Sequence, residues 1–171
     1  MRSTTIGAVS ALAATCVLST AWAETHVISQ SGAWQVFGGT TTKGRPVCGM
    51  SSSGNGRYFG VKYFSGDDTI TIQLGSGTWK IEDGAKQKLK MRLDNNSEWN
   101  ATGTGMHFND GDAGMEFTIN RKELDEFMRE FRASAIIRVD FTGSNAKPWT
   151  TSLAGTNAVA TVFSNCVRDL K

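Results

Sequence analysis

Histidine, proline and cysteine are scarce in this chain, and neither sign of charge predominates. Its two histidines, His26 and His107, leave little from which to build a nucleophile with a base and an orienting group. Three cysteines with no Cys-x-x-Cys pair exclude the common zinc spacings, so neither a metal nor a cofactor is expected. Lys and Arg number 18 against 16 Asp and Glu, a balance without the electrostatic footprint of a nucleic-acid binder. G-x-S-x-G, H-E-x-x-H and G-x-x-x-x-G-K-[ST] are all missing. "GSGTWK" has the glycines of a phosphate loop, but it joins two strand-like segments and reads as a hairpin turn. Long apolar runs are missing too: the one at the start falls short of the roughly 20 residues that a membrane span needs.

That first run has a different meaning. Arg2 precedes IGAVSALAATCVLST, and Ala21 and Ala23 flank Trp22 before Glu24. A basic start, an apolar stretch and small residues at a cleavage point make a secretory signal over residues 1–23. Cys16 lies inside it behind Thr15, where a lipoprotein signal wants a smaller residue, so a lipid anchor is not expected. The mature chain, residues 24–171, then reads as one exported β-rich domain, periplasmic or secreted.

Two cysteines remain after cleavage, Cys48 in "GRPVCGM" and Cys166 in "VFSNCVRDL". A metal site needs more ligands, and a reactive thiol needs a basic neighbour that the sequence does not supply. In an oxidising compartment an even pair reads first as a disulfide.

Period-two alternation marks most of the remaining chain as strands with one dry and one wet face. "TITIQL" (69–74) puts Ile70, Ile72 and Leu74 together, and "KLKMRL" (88–93) does so with Leu89, Met91 and Leu93. "MEFTI" (115–119) and "IIRVDF" (136–141) repeat the pattern, while "AWQVFG" (33–38), "RYFGVKYF" (57–64) and "GTWKI" (77–81) are apolar or β-branched. Two stretches switch to the helical period. Leu124, Phe127, Met128 and Phe131 form one stripe, capped by Asn120 with Glu123, and the pairs Lys122–Glu126 and Asp125–Arg129 lie on its wet side. Val159, Val162, Phe163, Cys166 and Leu170 form the other, capped at Thr156 or Asn157. Cys166 thus faces inward, where it can meet a strand carrying Cys48. The expected fold is mainly β with two helices: an antiparallel β-sandwich or curled sheet of about eight strands with a C-terminal helix docked on it.

Contact residues are sought on the wet faces. Lys86, Lys88, Lys90 and Arg92 alternate along one strand and either keep it soluble or meet an anionic partner. Trp79 and Trp149 sit in strand-like segments and read as core. Trp99, in "NNSEWNATGTG", has polar, Gly-rich surroundings and is the tryptophan expected to be exposed, a contact for a sugar or a protein. "NDGDAGMEF" carries Asn109, Asp110, Asp112 and Glu116, but the spacing is not that of a calcium loop, and it reads as an acidic turn.

Three short patches carry a likeness: Trp34-Gln35-Val36 opening the mature domain, Cys48-Gly49-Met50 after it, and "SLAGTNAVATVF" (152–163) leading into the last helix. In these the chain resembles small exported bacterial proteins of the invasion-associated locus B type. The resemblance implies a periplasmic or surface β-sandwich linked to host interaction, without catalysis, and supplies no catalytic residue. The expected role is therefore non-enzymatic: binding another envelope or host macromolecule, in the manner of a host-interaction or inhibitor protein. The alternatives are an envelope glycan hydrolase acting through Asp and Glu, which needs two carboxyls in a cleft, and a lipid or small-ligand carrier, which needs a closed barrel with a cavity.

Overall fold

A computed structural model describes residues 24–143 and 147–170; the signal sequence read over 1–23, with Cys16, lies outside the described residues. Strands β1 (Glu24–Ser31), β2 (Trp34–Thr40), β3 (Pro46–Gly54), β4 (Arg57–Phe64) and β5 (Thr69–Ser76) follow one another as hairpins. Next come β6 (Lys86–Leu93), β7 (Trp99–His107) and β8 (Ala113–Asn120), then helix α1 (Leu124–Ala133), strands β9 (Ile136–Phe141) and β10 (Trp149–Ser152), and helix α2 (Thr156–Asp169). All ten strands join one antiparallel sheet in the order β1-β2-β3-β4-β5-β8-β7-β6-β9-β10. The expected eight strands are therefore ten.

Two of the differences between expected and observed strands have a clear physical cause. Strand β7 was not legible because its inward positions include Gly103 and Gly105, which break the alternation of large apolar residues. Segment 77–81, expected as a strand, is a turn and loop instead. Glycine at 105 makes this possible: a methyl group there would collide with the Glu82 carbonyl and Ile81. The loop lies over this bare backbone, with Gly105 donating to the Ala85 carbonyl at 2.8 Å and Gly84 donating to the Gly105 carbonyl at 2.9 Å. Trp79 belongs to that loop and sets its ring edge-on to Phe141, centroids 5.6 Å apart.

The alternating residues face inward as their period demands. Ile70, Ile72, Leu74, Leu89, Met91, Leu93, Ile137 and Val139 are all fully buried. The sheet curls enough that β10 returns over β4 and β5, although five strands separate β10 from β4 in the ladder. Trp149 of β10 stacks on Phe59 of β4 at 6.1 Å and donates its indole N–H to the Gly75 carbonyl at 3.1 Å. Arg57 adds a polar strap from β4 to the backbone carbonyl and hydroxyl of Thr150. No ladder joins β1 to β10, so the sheet stays open. The closed barrel of a carrier is not formed, and helical side chains occupy the inward face.

Those side chains come from the two apolar stripes. Leu124, Phe127, Met128 and Phe131 of α1 are buried, and Phe131 meets Trp34 edge-on at 5.2 Å. Asn120 caps the preceding 3-10 turn with a capping box: its side chain accepts from Lys122 N–H, and Glu123 accepts from Asn120 N–H, each at 3.0 Å. On the wet side Arg129 pairs with Glu126 at 3.5 Å, three residues back, where Asp125 had been the expected partner. In α2 the buried residues are Val159, Ala160, Phe163 and Val167, with Val162, Cys166 and Leu170 partly covered. Its N-cap is Gly155, in a left-handed conformation at φ +91°, in place of Thr156 or Asn157. Thr156 is already inside the helix and buried, its hydroxyl directed at the Phe131 carbonyl.

Cys48 and Cys166 are joined in a disulfide with Cα atoms 6.0 Å apart across 118 positions. Cys48 pairs across the ladder with Gly38, whose missing side chain leaves the room that the Cys166 sulfur and Ile28 fill. The bridge fastens α2 to β3, as the helical period of Cys166 implied.

Candidate interaction surface

Strand β6 presents Lys86, Lys88, Lys90 and Arg92 on the outer face, with Leu89, Met91 and Leu93 on the inner. Two of these cations are already engaged: Lys90 lies 2.9 Å from Glu98, and Arg92 pairs with the other oxygen of the same carboxylate. Hydrogen bonds from Lys90 and then Arg92 hold the Glu98 carboxyl below its ordinary range. Lys86 donates to Thr104 at 2.6 Å, while Lys88 stands exposed. On the neighbouring strand Arg138 is bound by both oxygens of Asp140, which raises its pKa above the ordinary value. The stripe is thus a mixed-charge surface rather than a bare basic one.

Trp99 is half-buried, not the exposed ring expected from its polar neighbours. It starts β7, facing inward opposite Met91, and sets its ring edge-on to Phe127 at 5.7 Å. Its indole N–H donates to Glu130 of α1 at 2.8 Å. Glu130 lies 31 positions away and is 9% exposed, so this bond holds strand and helix together. Trp99, Lys88, Lys90 and Arg92 thus lie on the paired strands β6 and β7, with Trp99 facing inward and the three cations outward.

A second feature lies beyond the other end of β7. The turns β3–β4 and β7–β8 enclose a cleft of about 490 Å³ with Tyr58 and Phe108 in its wall. The two rings are 4.9 Å apart and tilted by 60°. Both lie down on glycine backbone: a methyl at Gly60 would strike the Tyr58 ring, and one at Gly75 or Gly114 would strike Phe108. Burial raises the Tyr58 hydroxyl pKa, opposed by a hydrogen bond with Ser51. Asn109, Asp110 and Asp112 form the rim as a tight turn, in which Asp110 accepts from Asp112 N–H at 3.1 Å and Phe108 N–H donates to the Asp112 carbonyl at 2.9 Å. Glu116, grouped with them in the sequence, sits on β8 and accepts from Gln73 at 3.3 Å instead.

With this geometry in hand, the chain can be set beside known proteins. It shares its fold with invasion associated protein B from Bartonella henselae. That crystal structure matches with a TM-score of 0.55 at 12% sequence identity, over 82% of this chain and 98% of the other. No protein-family model and no curated protein sequence matches the chain. The likeness is therefore one of architecture, and it agrees with the three short patches around Trp34, Cys48 and Leu153.

The cleft was not legible in the sequence. Tyr58 read as one residue of an apolar strand, and Phe108, just ahead of the acidic turn that starts at Asn109, was not singled out. The signal available was glycine at 60, 75 and 114 on faces where strands normally carry side chains, a pattern that marks a close approach. Among the described residues no group of three or more His, Cys, Asp or Glu is placed to hold a metal ion. His107 pairs with Asp83 at 2.7 Å on the surface.

Proposed function

We propose that the chain is an exported, non-catalytic domain that works by binding another macromolecule of the cell envelope or of a host surface. The observation that carries this reading is where the fold leaves room for contact. The inward face is filled by α1 and α2, so partners must be met on the outer face and at the strand ends. Likeness over nearly the whole of an invasion-associated protein supports the same class of role. A disulfide that bridges most of the domain suits a protein working in an oxidising, extracytoplasmic setting. Among the described residues no helix is long and apolar enough to cross a membrane.

The surface offered for binding is the outer face of β6, with Lys88 exposed beside the Lys90–Glu98–Arg92 cluster and Trp99 behind it. Charged rims of this kind govern association rate and choice of partner more than raw affinity. The test is capture from periplasmic and host-cell extracts by the mature protein, identification of what is retained, and binding of the purified partner. Lys88→Glu is expected to slow association and flatten its salt dependence. Equal association rates for the wild type and Lys88→Glu would remove this surface from the reading. A second reading, glycan hydrolysis, draws on Asp110 and Asp112 sharing a cleft; release of new reducing ends from envelope glycan, abolished by Asp112→Asn, would establish it.

A further inference from the structure

We propose that the cleft between the β3–β4 and β7–β8 turns is a binding site for the pyranose rings of an uncharged glycan. The inference starts from what the cleft offers chemically. Its volume of about 490 Å³ is that of a small-ligand site, enough for sugar units but not for a folded partner. One wall is aromatic, formed by Tyr58 and Phe108 in a shallow V. The rim is polar, formed by Asn109, Asp110 and Asp112 on an exposed turn. A pyranose has the complementary division: an apolar face of C–H bonds and an edge of hydroxyls that donate to carboxylates and exchange hydrogen bonds with amides.

Charge narrows the class. Among the described residues Arg57 is the one cation lining the cleft, and its guanidinium is drawn toward the carbonyl and hydroxyl of Thr150 on β10. Two aspartates against this one arginine leave the lining net negative, which disfavours phosphate, uronate and sialate groups. A hydrocarbon chain fits no better, since it would strip water from carboxylates and return no hydrogen bond. Uncharged sugars meet neither objection.

The site is also held ready. Each ring rests on glycine backbone, so its orientation is fixed before any ligand arrives, and little side-chain freedom remains to be lost on binding. The rim turn is braced by its own hydrogen bonds. This site is separate from the β6 surface: Trp99 begins β7, and the cleft lies past His107 at the strand's far end. Failure to capture a protein partner therefore leaves this proposal standing, and the reverse also holds.

The test is titration of the mature, oxidised protein with chitotriose and with maltotriose, two uncharged trisaccharides that differ in N-acetylation, followed by backbone amide NMR. At least one is expected to shift the amides of Tyr58 and of residues 108–112 in a saturable way. Phe108→Ala is expected to weaken that binding about tenfold. Phe108 also covers Gly75 and Gly114, so Asn109→Ala and Asp112→Asn provide a second pair on exposed positions; each is expected to weaken binding severalfold while thermal stability holds. No shift at the cleft from either sugar up to about 20 mM would overturn the proposal. Shifts confined to another surface, undiminished binding by Phe108→Ala, or tighter binding of a sialylated trisaccharide would do so equally.

Discussion

Replacing Cys48 and Cys166 together by alanine removes a tie that spans 118 positions. In the chain-entropy treatment, closing a loop of that length withholds about 16 cal/mol/K from the unfolded chain, or about 4.9 kcal/mol at 25 °C. A smaller effect acts on the folded side. Cys48 is fully buried, so loss of its sulfur leaves a void costing about 1 kcal/mol. The expected total is about 5–6 kcal/mol, a large share of the 5–15 kcal/mol that holds an ordinary domain folded. Urea unfolding of the oxidised wild type, the reduced wild type and the double variant, followed by tryptophan fluorescence, measures it. The midpoint should fall by about 2 M or more, and the slope m should rise because the unfolded chain expands without its tie. The reduced wild type should behave like the variant. A loss below about 2 kcal/mol with an unchanged slope would refute the reasoning, since the unfolded ensemble would then not have been restrained by the bridge.

Other perturbations test the parts separately. Trp99→Ala should cost about 2–4 kcal/mol in the same assay, because it removes the contact with Phe127 and leaves the buried Glu130 carboxyl without its indole donor. Gly105→Ala should cost about 2–3 kcal/mol, since its methyl meets the Glu82 carbonyl, whereas Gly54→Ala, with open space around it, should stay within about 0.5 kcal/mol of wild type. Glu98 contributes stability above its ordinary carboxyl value because the folded pKa is depressed, and this contribution disappears as pH falls through the folded value. Glu98→Gln should therefore lose less of its melting temperature than wild type on acidification; identical pH profiles would show the Lys90–Glu98–Arg92 cluster to be energetically silent.

Much of the architecture could be read from periodicity alone, because side-chain period and burial are two expressions of one geometry. Strands β4 and β9 begin and end where their apolar runs do, and the stripe from Leu124 to Phe131 became α1. The staple was legible because Cys166 fell on the inward arc of its helix. Failures arose where a residue's surroundings are supplied by distant chain. Trp99 looked exposed among asparagines and glycines, yet Phe127 and Glu130 arrive from α1 to cover it. Segment 77–81 had strand composition, but its fate was decided by the bare backbone of Gly105 on another strand. The cleft depends on three glycines from three strands and two aromatic rings from separate segments, a set that shares no period.

The two borders of the open sheet differ in kind. At one, β10 is four residues long and strapped to β4 by Arg57. At the other, β1 runs for eight residues with Val27 and Ile28 exposed, and its pairing with β2 slips between Val27 and Ser29. Among the described strands, β1 therefore offers a further copy the longer border for lateral pairing. There the irregularity interrupts the row of free amides that an incoming strand would use as a template. A sequence change that regularised this segment would restore a continuous template along that one border.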